Sequence, residues 1–256
     1  MKRKTDPDVL LKRWNDEIEI LYNQVVYLAH IDDVFWQVQA IAQANKQLHD
    51  KSDGIFLTWM INTYVATALV GVRRIGDGTR GNTVSLRRLI EDIESHGPSV
   101  LTRTRFVALY PEDLKLLGHR AFDSYAGAGN EFIRREVFRR DRKALNAALK
   151  DVADHASEHY AHIAKNPKAP SPTYGEMRGA LKAVSDILER YYLLLTARSI
   201  ASVVPSIPSP WLSVFRSPWL PKGVNVPSYV HLDEVRSPLQ RAEKPQESVR
   251  LWASLH

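Results

Sequence analysis

Residues 54–72 read GIFLTWMINTYVATALVGV, nineteen positions without a single charge. A helix of this length is just long enough to cross a bilayer. Thr58, Asn62, Thr63 and Thr67 recur through the run, and Asp53 and the Arg73–Arg74 pair border it, so it reads instead as a helix buried among other helices. It is expected at the centre of an all-α fold, from about Gly54 to Ile75, and no membrane partner is expected.

Upstream, Trp14, Ile18, Leu21, Val25 and Leu28 recur at steps of 4, 3, 4 and 3, a stripe that only a helix aligns. The spacing predicts a first amphipathic helix over Asp8 to His30 and a second over Asp33 to Leu48, where Val34, Val38 and Ile41 continue it. Downstream, GDGTRGNT is a turn by composition. Val84, Leu86, Leu89, Ile90 and Ile93 then predict a short helix closed by Gly97 and Pro98.

Asn130 reads as the N-cap of a long helix marked by Ile133, Val137, Ala144, Ala148 and Val152. Its outer side carries Arg134, Arg135, Arg139, Arg140, Arg142 and Lys143. After the break KNPKAPSP, Thr173 and Glu176 form a capping-box signature ahead of Met177, Leu181, Val184, Leu188, Tyr191 and Leu195. Of the 14 Pro, 8 lie in the final 52 residues with 3 of the 6 Trp, a density that forbids helix and central strand. The expected organisation is a helical bundle over residues 1–200 and an irregular Pro/Trp-rich arm over 201–256. That arm would pack on the bundle or on a partner chain.

With 44% hydrophobic and 25% charged residues the chain has globular composition, which excludes disorder throughout. Residues 103–150 hold 11 Lys+Arg against 6 Asp+Glu, or +5 of the net +6, so a polyanion is an allowed partner. The absence of Cys excludes disulfides, thiolate nucleophiles and thiolate zinc sites. MKRKTDPDVL is followed by no apolar core of a secretory signal, and a cytoplasmic location is the expectation. No P-loop, dinucleotide fingerprint, GxSxG or HExxH occurs.

The chemistry-bearing stretch is DHASEHYAHIAKNP, with His155, His159 and His162 at i, i+4 and i+7. If the helix continues to 162, all three share one face. Three readings compete. The histidines decorate a helix C-terminus; or an i, i+4 pair shares a metal with Asp151 or Glu158; or a histidine acts as general base on a nucleic acid while a nearby Arg holds phosphate. Arg73 and Arg74 are open to the same choice, between a basic last helical turn and phosphate binding. So is the Arg134–Lys143 face, between a solvated surface and an RNA contact made by Arg139 and Arg140.

A central helix ending in Arg73–Arg74 with Asp77 nearby, then Ser85-Leu86-x-x-Leu89, and a late Tyr160-Ala161-His162 before Lys165, resembles the HEPN superfamily, in particular its phage abortive-infection (AbiU-type) branch. The resemblance covers Asp8 to Arg198. It implies an RNA-binding protein or a metal-independent endoribonuclease, working as a homodimer without a cofactor, in a toxin–antitoxin or phage-defence setting where an antitoxin or another protein is the partner. Carried onto this chain, it makes His162 the general base, with His159 beside it, Arg73 or Arg74 the phosphate-stabilising group, and Lys165 an RNA contact. Active members carry an Arg ahead of the His with four to six residues between the two, and here those places hold His155, Ala156 and Ser157. Either a central-helix Arg replaces the lost guanidinium, or the fold is kept as a catalytically inactive interaction module.

Overall fold

The computed structural model describes residues 6–45, 55–78, 83–161, 164–200, 203 and 209–216. The described residues are helical, with one isolated antiparallel bridge, Thr102 to Phe132, and the fold is all-α. The chain divides into two units, Met1–Ser206 and Ile207–His256. In the second, residues Ser209–Arg216 form a 3-10 helix in which the Trp211 and Phe215 rings meet edge-on at 5.9 Å. Of the rest of the expected arm, Val203 is described and is buried in the core of the first unit, and the other residues lie outside the described residues.

In the first unit, α1 spans Pro7–Ala44. Asp6 caps it, its Oδ1 accepting from the Asp8 N–H at 2.9 Å, and Pro7 occupies the first turn, where a missing N–H is harmless. Leu10, Trp14, Ile18, Leu21, Val25 and Leu28 are all buried. The two helices expected here are one, a rod of about 57 Å. Nothing between His30 and Asp33 breaks it, because the Asp32 carboxylate is held by side chains rather than spent as a cap. It accepts from Trp36 Nε1 at 3.1 Å, Tyr64 Oη at 2.6 Å and Arg178 Nε at 3.2 Å.

Helix α2, Ile55–Gly76, packs on α1, on α6 (Arg135–Ala156) and on α7 (Tyr174–Thr196). Among the described residues it is the one helix long and apolar enough to cross a membrane. Leu57, Tyr64, Leu69, Val72 and Ile75 are buried, but Ile55 and Trp59 are 73% and 62% exposed. The helix lies among other helices as expected, but only one face packs on them, and another is apolar and open.

Helix α3, Leu86–Val100, runs through the Gly97–Pro98 pair that reads as a stop. Gly97 is there for contact: a Cβ would meet Ile93 of the same helix at 2.9 Å and Phe138 of α6 at 3.3 Å. Residues 101–129, which carry no element in the sequence reading, form α4 (Arg103–Val107), a 3-10 turn (Glu112–Leu114) and α5 (Lys115–Ala126). They are tied by Arg103, whose guanidinium donates to Asp123 at 2.6 Å and to the Asn130 carbonyl at 2.9 Å. Asn130 is not the cap of the next helix. Its Nδ2 donates to the Ala126 carbonyl, Arg103 N–H pairs with the Glu131 carbonyl, and α6 starts at Arg135. The capping box at Thr173 and Glu176 forms as the sequence predicts and starts α7.

Glu94, 12% exposed, clamps α3 to α6 by accepting from Arg139 Nε and Arg142 Nε, both at 2.9 Å. Burial pushes its carboxyl up, but the two guanidiniums outweigh this and hold it below the usual carboxylate range. Glu94→Gln is therefore expected to lose about 1–2 kcal/mol at neutral pH. A depressed pKa supplies stability above the ordinary glutamate value and loses it as pH falls through the folded one. Denaturant titrations should therefore show the gap between wild type and variant closing below about pH 4.

Candidate functional site

Helix α6 ends at Ala156, and the chain widens into one π turn, Ser157–Ala161. Such widened turns shift side chains out of helical register and often occur where function requires it. Here the turn lays the exposed His159 ring on the buried His155 ring, centroids 4.2 Å apart and planes 24° apart. Tyr160, 42% exposed, lies 6.0 Å from His155. His162 lies outside the described residues, so the shared face of three histidines is described only for the first two.

Glu158 fastens the turn. Its Oε2 accepts from the backbone N–H of Lys168 at 2.5 Å and Ala169 at 2.9 Å, and its carbonyl accepts from Ala164 N–H at 3.1 Å. The Ala169 and Lys168 N–H groups hold its carboxyl below the usual range. His159, Tyr160 and the exposed Lys165 thus belong to one loop closed at its base by a carboxylate.

The central-helix arginines separate. Arg73, half-buried, donates from Nε to Ser157 Oγ at 2.8 Å, reaching the π turn two residues before His159. Ser157 is one of the three places where the HEPN pattern carries its own Arg. Arg74 instead lines a cleft of about 340 Å³ with Ile20, Gln24, Asp77 and Thr83. Adjacent residues on a helix diverge by about 100°, so one turn of sequence serves two surfaces. Of the arginines expected to meet RNA, Arg139 is engaged with Glu94 while 45% exposed. Arg140 is 70% exposed and pairs with its neighbour Asp141 at 3.5 Å.

The metal alternative needs nitrogens and carboxylates that converge. His155 and His159 are stacked face to face, Glu158 is spent on backbone N–H groups, and Asp151 pairs with Lys150 at 3.7 Å. Among the described residues no three His, Asp or Glu side chains are grouped to hold an ion. The sequence missed Ser157 as a partner and Glu158 as a fastener, since nothing in HASEHYAH marks a π turn.

No curated protein and no solved structure matches the chain. The sequence profile of the AbiU2 family of HEPN domains matches residues 16–206, a span that contains Arg73, the π turn and, among the described residues, six of the seven α-helices in full. With the match covering well over half of the chain, and the helices and motif residues falling inside it, this protein belongs to the AbiU2 family of the HEPN superfamily.

Proposed function

We propose that the chain is an RNA-binding protein of phage defence that cleaves RNA without a metal. The observation that carries this is the Arg73–Ser157 bond, which brings a guanidinium to the turn bearing His159 and supplies from α2 the charge that the local sequence lacks. In the reaction, His159 or His162 takes the proton of a ribose 2′-hydroxyl, and the freed oxygen attacks the adjacent phosphorus. Arg73 stabilises the charge developing on the phosphoryl oxygens, and the P–O5′ bond breaks as the 5′-oxygen takes a proton from water. One product carries a 2′,3′-cyclic phosphate and the other a 5′-hydroxyl. Arg140 and Lys165 are exposed cations suited to flanking phosphates.

The open face of α2 supports a homodimer. Ile55, Trp59, Asn62, Ala66, Val70 and Arg73 fall on one stripe at helical spacing, apolar and exposed at one end and reaching the π turn at the other. A second copy seated on this stripe would bring two sites together.

Incubation of the purified chain with structured and single-stranded RNA in excess chelator tests the reading. Cleavage should persist, and the fragments should carry cyclic phosphate ends. Activity abolished by EDTA and restored by zinc or manganese would transfer the site to metal chemistry. Salt-sensitive binding with no cut on any RNA would leave an interaction module.

A further inference from the structure

Three polar side chains are buried among the described residues: Ser85, Asp141 and His155. Ser85 caps α3 through the Arg88 N–H and donates to the Asp77 carbonyl. Asp141 accepts from Arg190 at 3.1 Å and from Tyr191 Oη at 3.5 Å. His155 is different: it is 6% exposed, and its buried Nδ1 has no hydrogen-bond partner among the described residues. A buried polar atom left unpaired disfavours the fold, and an apolar side chain would fill the same space without that penalty. What the imidazole offers is a flat face, 4.2 Å from the ring of exposed His159.

We infer that His155 is a positioning residue for His159, its buried ring forming the platform that fixes the plane of the exposed imidazole. This rests on the proposed cleavage reaction. A surface histidine turns about two side-chain bonds, and a base that must meet a 2′-hydroxyl within hydrogen-bond reach gains from having its ring plane set beforehand. His155 sets it from below, Glu158 holds the backbone of the turn, and Arg73 reaches the same turn through Ser157.

The full chain is compared with His155→Phe, which keeps a flat ring, and His155→Leu, which keeps only bulk. The leucine variant is expected to lose about tenfold in kcat with KM unchanged, and the phenylalanine variant to stay within about twofold. The phenylalanine variant should also melt higher than wild type, since no orphaned nitrogen remains. Equal activity in the two variants means that His155 only fills space, and overturns the proposal. In proton NMR, the His159 ring signals should stand upfield in wild type and His155→Phe and return to exposed positions in His155→Leu. Upfield signals without any RNA cleavage would keep the platform and remove the proposed function, whereas signals alike in all three overturn the platform itself.

Discussion

Replacing Arg73 by alanine is expected to lower RNA cleavage by about 10²- to 10³-fold, the effect of removing one preorganised donor from a developing oxyanion. Arg74→Ala, about 100° round the same helical turn and facing another cleft, should change it far less. His159→Ala and His162→Ala, measured side by side, identify the base as the variant with the loss of about 10²-fold or more. Combining that variant with Arg73→Ala should scarcely worsen the rate, because groups acting on one transition state are strongly non-additive. Melting temperatures should stay within a few degrees, since neither Arg73 nor His159 is buried in the core. Full cleavage by Arg73→Ala would remove the guanidinium from the mechanism.

The largest stability effect is expected at Trp14. Its side chain is fully buried in the core of α1, and Nε1 donates to Asp92 Oδ2 at 2.6 Å. Trp14→Ala removes the ring and its contacts and should lose about 4 kcal/mol. In a domain of this size that is on the order of 10 °C in Tm. Trp14→Phe retains most of the apolar volume, and Arg13 still pairs with Asp92, so about 1–2 kcal/mol is expected. Calorimetry of both variants checks the order, and a loss below about 1 kcal/mol for Trp14→Ala would contradict the packing of α1.

The elements that can be read from the sequence are those whose signal is local. The stripe from Trp14 to Leu28 and the capping box at Thr173 need no knowledge of the rest of the chain. Asp32–Asp33 and Gly97–Pro98 look like boundaries in one dimension, and are not, because their partners come from far along the chain. Tyr64 and Arg178 hold the first, and Phe138, together with Ile93 of the same helix, crowds the glycine of the second. The hairpin of α4 and α5 depends on a polar knot around Arg103 rather than on periodicity. At the site, the histidines are visible as a cluster, but their stacking depends on a π turn that composition does not announce. Arg73 and Arg74 are equivalent in sequence, and a 100° rotation between neighbours decides which of them meets Ser157.

The first and last long helices of the bundle are packed together, with Glu19 accepting from Tyr192 at 2.8 Å and Asp32 from Arg178. During synthesis α1 therefore waits for a partner encoded more than 140 residues later, about 10–30 s at ribosomal speed. Until α7 leaves the exit tunnel, the helices that carry Arg73 and the π turn have no closed bundle to hold them in register. A translation event interrupted before Tyr174 yields a fragment with Arg73, His155 and His159 all present and none fixed in place. Assembly of the π turn and of the guanidinium that reaches it is then tied to completion of the bundle, the last long helix acting as the closing piece.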